Sequence, residues 1–326
     1  MTARPRILVS LPAALPDDLR AELAARFDIV DLPSGSRPAD ALSADVRAEI
    51  QGQLITPHNR VDEDLMQSMP RLRVSSNCSV GYDNVDVAAA NRHKVLICNT
   101  PNVLNGAVAD VVIGLMLCLA RNLVAGDAFV RSGAWIRGPF PLTHDIRGKT
   151  FGLLGMGRIG RVVARSVRAF DMKVVYHNRR RDEETEALGL ASYVDRDTLF
   201  READMLCVLV PLNPDTRHSV GAREFSMMKP TSYLINTARG SVLDEAALVD
   251  ALRGGKIAGA GLDVMETEPL PADSPLCGLP NVVLQAHVGS ATHETRRAMS
   301  ELAVRNLIDA LTGVRPTAMV NPELWD

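Results

Sequence analysis

The sequence has few cysteines, few aromatic residues and no long apolar run. Its five cysteines are odd in number and contain no C-x-x-C pair, which argues against a disulfide framework and a zinc site and favours a reducing compartment, the cytoplasm. The longest apolar run, Val111–Ala120, is too short to span a bilayer, and Pro12 and Pro16 interrupt the only N-terminal apolar patch, so no signal peptide is expected. The formal net charge of −3 excludes the electrostatic footprint of a nucleic-acid-binding protein.

The 326 residues are enough for two domains with sizeable cores. Strand and helix patterns alternate along the chain, which is typical of α/β domains with parallel sheets. We predict two doubly wound, Rossmann-like or flavodoxin-like domains. Residues 1–100 with 289–326 form a substrate-binding (catalytic) domain, residues 101–288 form a dinucleotide-binding domain, and substrate binds in a cleft between them.

Individual elements follow from runs of apolar residues and their spacing. The predicted strands are Arg6–Leu11, Asp28–Leu32, Gln53–Thr56, Leu72–Ser76, Phe151–Leu154, Lys173–Tyr176, Asp204–Val210, Ser232–Thr237, Ile257–Val264 and Val282–Ala286. The predicted helices include Asp17–Phe27, Asp62–Met69, Val85–Arg92, Asp244–Leu252 and residues 102–121 and 292–312. Helix 102–121 is either buried or dimer-forming. Pro33, Ser34, Gly35 and Pro38 mark a loop, and Gly126–Gly148, with Trp135 and Phe140, is predicted to be a loop or arm that anchors an interface or packs on the domain.

A G-x-G-x-x-G motif lies between one predicted strand and a helix, at Gly155, Gly157 and Gly160. In this context the first glycine makes a tight turn, the second lets the backbone approach a pyrophosphate, and the third lets helix and strand pack closely. Arg158 and Ile159 then lie at the start of the helix, where free N–H groups and the helix dipole favour phosphate. The motif predicts a dinucleotide site.

The residues after the next predicted strand, Lys173–Tyr176, indicate whether NAD or NADP binds. NAD sites usually carry an acid there that binds the ribose 2′-hydroxyl, whereas an arginine accommodates the 2′-phosphate of NADP. This chain has Asn178, Arg179, Arg180 and Arg181 and no acid until Asp182. The pattern favours NADP(H), with Asn178, Arg179 and Arg180 as cofactor-binding residues; NAD(H), with a merely solvated basic turn, is the alternative.

Polar residues follow several strands where parallel strands bring their carboxyl ends together. Arg239, Glu268 and His287 follow strands of the predicted dinucleotide domain, so they can meet although they are far apart in sequence. In the first domain, Ser79-Val80-Gly81 follows a strand and precedes a helix, where backbone N–H groups could hold a carboxylate.

These motifs closely resemble those of the D-isomer-specific 2-hydroxyacid dehydrogenases, and they occur in the family's order over most of the chain from about residue 70. The matching segments are Ser79–Asp86, Thr100–Leu104 with Val108–Asp110, the glycine motif, Val210–Leu212 with Thr216, Ile235–Gly240, Gly261–Val264 through Glu268-Pro269, and His287–Thr292. Gly81-Tyr82-Asp83 and the Asn-Arg-Arg turn resemble the glyoxylate/hydroxypyruvate reductase branch.

The resemblance implies a catalytic set of Arg239, Glu268 and His287. Arg239 binds the carboxylate of a 2-keto acid and polarises its keto oxygen, His287 is the general acid that protonates that oxygen, and Glu268 orients the imidazole and favours its charged form. Ser79, Val80 and Gly81 contribute backbone donors to substrate. Asp263 resembles the residue that holds the nicotinamide carboxamide. Other positions matching the family's cofactor lining are Val210, Pro211, Thr216, Thr237, Ala238, Arg239, His287 and Gly289. The resemblance implies no metal ion, and it implies a homodimer.

The sequence departs from the family at three places. Ala286 replaces the proline that often precedes the histidine, the Asn-Arg-Arg turn replaces the usual acid, and Gly138 stands where some members carry an aromatic residue that reaches the partner's active site. The predicted activity is NADPH-dependent reduction of small 2-keto acids such as glyoxylate and hydroxypyruvate to D-2-hydroxy acids. The alternatives are the same chemistry on a larger acid, such as 2-ketogluconate or phenylpyruvate, or with NADH, and a non-catalytic dinucleotide-sensing protein like the corepressors of this superfamily.

Overall fold

The computed structural model describes residues 4–11, 15–33 and 36–325. The predicted loop residues Ser34 and Gly35, and Pro12 of the N-terminal apolar patch, lie outside the described residues. The prediction of a loop at Pro38 is wrong, because proline suits the first turn of a helix and Pro38 begins a short one. The chain divides into two compact units, residues 1–104 with 292–326 and residues 105–291. Both boundaries fall three or four residues beyond the predicted ones, 100/101 and 288/289.

The first unit holds a five-stranded, fully parallel sheet in the order β2-β1-β3-β4-β5. Its elements up to residue 98 are β1 (Arg6–Val9), α1 (Asp17–Arg26), β2 (Asp28–Asp31), α2 (Pro38–Ala41), α3 (Ala44–Ala48), β3 (Ile50–Ile55), α4 (Glu63–Ser68), β4 (Val74–Asn77), α5 (Val87–His93) and β5 (Leu96–Cys98). The buried strand β3 lies at the centre of the sheet, between β1 and β4. Asp62 and Asp86 begin α4 and α5, since each carboxylate accepts a backbone N–H of the first turn.

The second unit holds a seven-stranded parallel sheet in the order β12-β11-β10-β9-β6-β7-β8. Its elements are α6 (Asn105–Arg121), α7 (Leu123–Arg131), β6 (Thr150–Leu154), α8 (Arg158–Arg168), β7 (Lys173–His177), α9 (Glu183–Ala187), β8 (Ser192–Tyr193), α10 (Arg196–Glu202), β9 (Met205–Val208), α11 (Ala222–Met227), β10 (Tyr233–Asn236), α12 (Glu245–Arg253), β11 (Gly259–Leu262) and β12 (Val282–Leu284). Successive strand residues face opposite sides, so Leu206 and Val208 pack towards α10–α12 while Met205 and Cys207 pack towards α6 and α8.

The chain returns to the first unit in its last long helix, α13 (His293–Thr312), which packs on β3 and β4. The buried Asn306 amide donates to the Asn99 carbonyl over 3.1 Å, and the Ser76 hydroxyl donates to the Ala303 carbonyl over 2.7 Å. Buried polar groups need such partners, and these bonds tie the returning helix to the sheet. The predicted fold class, two doubly wound α/β domains, is confirmed.

Helix α6 is a core helix of the second unit. One face, including Val112, Leu115 and Leu119, is buried, and a Cβ on Gly261 in β11 would lie 3.1 Å from Leu115 and 3.2 Å from Leu119, so the helix packs closely on this strand. Among the described residues no single helix is long and apolar enough to cross a membrane. Together α6 and α7 have the length and apolar composition of a span, but a 60° bend separates them.

The prediction of a loop or arm from residue 126 is wrong at its start, because Leu123–Arg131 is the helix α7 and residues 134–137 form a 3₁₀ turn. Gly126 is accommodated inside α7, and a Cβ at this position would lie 4.0 Å from the Phe140 ring, an ordinary packing distance. Phe140 also packs edge-on against Phe129, with ring centroids 5.3 Å apart. Phe140 is therefore a packed residue, whereas Trp135 keeps 65% of its surface exposed.

Candidate active site

The glycine motif forms a turn that only glycine can form at its first position. Gly155 has φ +107°, and a Cβ there would lie 2.9 Å from the carbonyl carbon of Leu209 on the neighbouring strand connection. A Cβ on Gly160 would lie 2.8 Å from the Gly155 carbonyl oxygen, so the third glycine lets α8 start directly against the end of β6. The close approaches at Gly155 and Gly160 give a structural reason for the glycine at each of these two positions of the motif.

The residues around Gly157 fit a pyrophosphate. Apart from its neighbours in the chain, no atom of the described residues lies within 4 Å of the position that a Cβ on Gly157 would take, so the backbone faces open space. Gly157 is the N-cap of α8 and offers no capping side chain, which leaves the first-turn N–H groups of the helix available to an anion. Arg158 is exposed and Ile159 half-buried in that first turn.

The basic run after β7 contains arginines of two kinds. Within the described part of the chain, Arg179 and Arg180 are exposed and form no hydrogen bond or ion pair, whereas Arg181 pairs with Glu186 and lies 5.5 Å from the Tyr193 ring centre. The Asn178 amide donates to the Met156 carbonyl over 3.4 Å, which connects the run to the glycine motif. Arg179 and Arg180 are therefore the residues of the run with guanidinium groups uncommitted within the described structure.

The acid that ends this run is not available to a ribose. Asp182 is buried, with 8% of its surface exposed. Its Oδ1 accepts the N–H of Thr185 over 3.1 Å and so caps α9, and its Oδ2 accepts from Nε of Arg161 over 2.7 Å. Both oxygens of the nearest acid are thus committed inside the protein.

The other predicted cofactor positions lie where β9 and β10 end. The Thr216 hydroxyl donates to the Pro211 carbonyl over 2.6 Å and so closes the loop that follows Val210. After β10, the buried Asn236 side chain accepts the Ala238 N–H over 3.0 Å and donates to the Arg239 carbonyl over 2.9 Å. This amide shapes the turn that carries Thr237, Ala238 and Arg239.

His287 and Glu268 form a close pair after β12 and β11. Nδ1 of His287 lies 2.7 Å from Oε2 of Glu268, while Oε1 of Glu268 accepts the Met265 N–H over 3.0 Å. Bonding Nδ1 to a carboxylate leaves Nε2 as the ring nitrogen that can exchange a proton with a substrate. The imidazole is 43% exposed, so a ligand can reach it.

Burial raises the pKa of the Glu268 carboxyl, but the hydrogen bond and charge of His287, the Met265 N–H and the charge of Arg239 together bring that pKa below its usual value. Glu268 is therefore a carboxylate at neutral pH, and the positive charge of Arg239 is near enough to contribute. A lowered pKa is the expected result here, because nearby positive charges favour the ionised form of a carboxyl group.

Arg239 is brought to this pair by a close approach of two backbone segments. A Cβ on Gly240 would lie 1.9 Å from the carbonyl carbon of Met265 and 2.3 Å from the Glu266 nitrogen. Only glycine permits that contact. The turn that carries Arg239 is thereby held against the segment that carries Glu268, which explains the glycine after the arginine.

Asp263 holds the loop of the histidine. Its buried carboxylate accepts the Val288 N–H over 2.7 Å and the Gly289 N–H over 2.9 Å, and its carbonyl accepts the His287 N–H over 2.9 Å. His287 has φ +54°, a left-handed conformation that these bonds stabilise. Burial raises the pKa of Asp263 despite the two N–H donors. The sequence did not indicate this supporting role.

A second histidine–carboxylate pair lies on the same unit and was missed by the sequence analysis. Nε2 of His218 lies 2.6 Å from Oε1 of Glu266, and the Glu266 N–H donates to Oε2 of Glu245 over 3.0 Å. The pair joins the loop after β9 to the segment of Glu268. It uses Nε2, the nitrogen that His287 leaves available.

In the first unit, Ser79-Val80-Gly81 forms a turn after β4. The carbonyls of Val80 and Gly81 accept the amide groups of Asn99 and Asn77 over 2.9 and 3.0 Å, while the Ser79 N–H donates to the Asn77 carbonyl over 2.8 Å. Among the described residues no acceptor binds the N–H groups of Val80 and Gly81. The turn therefore offers two backbone donors.

Together the parallel sheet, the glycine turn and the histidine–carboxylate pair define a dinucleotide-binding protein with groups suited to proton transfer. In the described residues no cluster of three or more His, Cys, Asp or Glu side chains could hold a metal ion. The sequence of residues 113–289 matches the model of the D-isomer specific 2-hydroxyacid dehydrogenase, NAD binding domain.

Relatives match nearly the whole chain. Glyoxylate/hydroxypyruvate reductase B of Salmonella paratyphi C is 46% identical over 318 residues, covering 97% of this chain and 98% of the relative. The structure of the NADPH-dependent glyoxylate/hydroxypyruvate reductase from Sinorhizobium meliloti in complex with NADP and malonate superposes with a TM-score of 0.88 at 39% identity, covering 98% of this chain and 97% of that one. A glyoxylate reductase from Paecilomyes thermophila gives a TM-score of 0.90 at 33% identity, covering 99% and 100%.

The chain therefore belongs to the D-isomer-specific 2-hydroxyacid dehydrogenase family. It is an oxidoreductase that binds a nicotinamide dinucleotide, and the predicted family membership is confirmed.

Proposed function

We propose that this protein reduces small 2-keto acids, glyoxylate and hydroxypyruvate, to D-2-hydroxy acids with NADPH. The observation that carries the proposal is the His287–Glu268 pair held beside Arg239 at the carboxyl edge of the dinucleotide-binding sheet. The names of the Salmonella and Sinorhizobium relatives, both glyoxylate/hydroxypyruvate reductases, support this choice of substrate.

Each residue has a defined task in this reaction. The guanidinium of Arg239 binds the substrate carboxylate through two parallel N–H bonds and polarises the keto oxygen. Nε2 of His287 donates a proton to that oxygen, while Glu268 keeps Nδ1 bonded and stabilises the charged imidazole. The bound nicotinamide supplies the hydride to the keto carbon. The two backbone donors of Val80 and Gly81 provide the first unit's contribution to carboxylate binding, with the turn held by Ser79.

The cofactor would be held by residues already placed on the second unit. The first turn of α8, from Gly157 through Gly160, binds the pyrophosphate, and Arg179 and Arg180 bind the 2′-phosphate beside Asn178. The proposed lining of the remaining cofactor comprises Gly155, Arg158, Ile159, Val210, Pro211, Thr216, Thr237, Ala238, Arg239, Asp263, His287 and Gly289. Preference for NADPH over NADH is supported by the commitment of Asp182 to Arg161 and by the NADP bound to the Sinorhizobium relative.

The double variant Arg179→Asp, Arg180→Ala is expected to raise KM for NADPH at least about tenfold and to leave KM for NADH nearly unchanged, because charge-assisted bonds to the 2′-phosphate contribute about 1.5–3 kcal/mol each. Steady-state kinetics with both cofactors measure the effect. Arg181→Ala is the matched control, since Arg181 is committed to Glu186. Equal losses with NADPH and NADH would remove the argument for 2′-phosphate recognition.

The variant Glu268→Gln is expected to lower kcat for keto-acid reduction about tenfold, since an amide replaces the charge-assisted bond that the carboxylate forms with Nδ1 of His287 by a weaker neutral one. Nucleotide binding is expected to be unchanged. Steady-state kinetics with glyoxylate and a nucleotide titration measure the two effects. An unchanged kcat would contradict the pairing.

The function is tested by initial rates of NADPH and NADH oxidation with glyoxylate, hydroxypyruvate, 2-ketogluconate and phenylpyruvate. Fast turnover of the two small acids with NADPH is expected. Turnover of only the two larger acids would contradict the proposed substrates. Turnover only with NADH would contradict the proposed cofactor. Tight nucleotide binding without turnover of any acid would identify a dinucleotide-sensing protein.

We also propose that the protein is a homodimer. Apolar side chains remain exposed on α7 and the following segment of the single chain, including Leu123, Val130, Trp135, Ile136 and Leu142. Neighbouring exposed apolar residues of this kind mark interaction surfaces. Light scattering of the purified chain measures its mass directly.

A further inference from the structure

Arg161 connects the phosphate-binding helix to the acidic end of the basic run. It directly follows Gly160 of the glycine motif, in the first turn of α8. Its Nε donates to Oδ2 of Asp182 over 2.7 Å, and its Nη1 donates to Oε2 of Glu184 over 2.6 Å. The roles proposed for the glycine motif and for the arginine run do not include this residue.

Asp182, the buried partner of Arg161, carries a negative charge at neutral pH. Burial raises the pKa of Asp182, but the Thr185 N–H and the guanidinium of Arg161 more than reverse this, so the pKa lies below its usual value. A buried carboxylate is poorly screened by water, and its field acts strongly on neighbouring charges. Without Arg161, that field would act on anything bound at Arg179 and Arg180.

The net charge of the segment shows how much depends on Arg161. Residues 178–184 contain three arginines and three acids, so the segment by itself is neutral. Glu186, which pairs with Arg181, adds a fourth acid, so Arg161 is the cation that brings the local group from a net charge of −1 to neutral. Cancelling a net negative charge in the surroundings favours the doubly charged 2′-phosphate of NADPH and has little effect on the neutral 2′-hydroxyl of NADH.

Further hydrogen bonds fix the segment in this arrangement. The Tyr176 hydroxyl accepts the Asp182 N–H over 2.6 Å and donates to Oε1 of Glu186 over 2.7 Å. Glu186 in turn pairs with Arg181. The network therefore immobilises Arg181 and Asp182 at the end of the run and leaves Arg179 and Arg180 for a ligand.

We propose that Arg161 is a specificity-determining residue, which favours NADPH over NADH by neutralising Asp182 and holding it away from the ribose. This inference rests on the proposed preference for NADPH. It assigns part of that preference to a residue one helical turn inside α8 rather than to the arginines that would touch the phosphate.

The test measures Kd of NADPH and NADH by isothermal titration calorimetry on the full chain. Arg161→Gln is expected to raise Kd for NADPH about tenfold, the equivalent of about 1.4 kcal/mol, and to change Kd for NADH less than about twofold. Arg161→Lys, which keeps the charge, is expected to keep most of the preference. The double variant Arg161→Gln, Asp182→Asn is expected to return Kd for NADPH to within about twofold of the original, since it removes both charges together and asparagine still caps α9.

The matched control is Arg165→Gln, which removes an exposed arginine from the same helix and is expected to leave both Kd values unchanged. An unchanged Kd for NADPH in Arg161→Gln would overturn the inference, as would failure of Asp182→Asn to restore binding in a double variant whose thermal unfolding matches the original. A wild-type chain that binds NADPH and NADH equally would instead overturn the proposed cofactor preference, so the two failures are distinguishable.

Discussion

Replacing His287 by alanine is expected to lower kcat for keto-acid reduction by about 10²- to 10⁴-fold, the usual contribution of a positioned general acid. The imidazole is the proton donor, and Nδ1 is already bonded to Glu268 at 2.7 Å, so the loss falls on the proton transfer itself. Cofactor binding should remain, because the glycine turn and the basic run lie on other segments. Steady-state kinetics and nucleotide titration on the same preparation separate the two effects.

His218→Ala is the matched control for this experiment. His218 also pairs with a glutamate, at 2.6 Å, and also has a positive φ, 49°. It differs in bonding through Nε2, so the proposed chemistry gives it no proton to donate to substrate. Its replacement is expected to change kcat less than about threefold, in line with exposed positions. Substantial activity in His287→Ala at neutral pH would contradict the role of His287 as the acid.

Replacing Arg239 by alanine is expected to lower kcat/KM for the keto acid by about 10²- to 10⁴-fold, because two charge-assisted bonds to a carboxylate contribute about 1.5–3 kcal/mol each. The effect should appear in KM as well as kcat, since the guanidinium binds the carboxylate and polarises the keto oxygen. Added guanidinium ion should restore part of the activity. Michaelis–Menten analysis with glyoxylate, with and without guanidinium, measures both.

Arg239→Lys and Arg217→Ala complete the experiment. Lysine keeps the charge but loses the planar fork, so it should recover only a minor part of kcat/KM. Arg217 is exposed and lies 3.6 Å from Glu266, so its removal tests whether any nearby arginine has the same effect. Arg239→Ala with unchanged KM and kcat would contradict the carboxylate-binding role.

The main features of the second unit could be predicted from the sequence because they are local. The strand Phe151–Leu154, the glycine turn and α8 are consecutive, and their spacing alone specifies strand, turn and helix. The order of strands with intervening helices also predicts parallel sheets, whose carboxyl ends share one edge. This explains why Arg239, Glu268 and His287 could be selected together before any contact was known.

Features that depend on long-range contacts could not be predicted. Asp182 belongs to the basic run in sequence, but only folding shows that Arg161, 21 residues earlier, binds its carboxylate. The His218–Glu266 pair likewise joins residues 48 apart. Helix α7 was missed because Gly126 signals a break, and its packing against Phe140 is a tertiary contact.

The sequence by itself determined the fold class, the dinucleotide motif, the family and the set of residues proposed for catalysis. The fold class and the dinucleotide motif depend on short patterns whose meaning is set by backbone geometry and side-chain chemistry, and the family and the catalytic set follow from the resemblance of the motifs to those of known dehydrogenases. The tertiary structure alone decided which charges are available: Arg179 and Arg180 are uncommitted in the described structure, while Arg181 and Asp182 are paired. The physical reason is that a charge acts according to its distance from other charges and its burial, and both are fixed only when distant segments pack together.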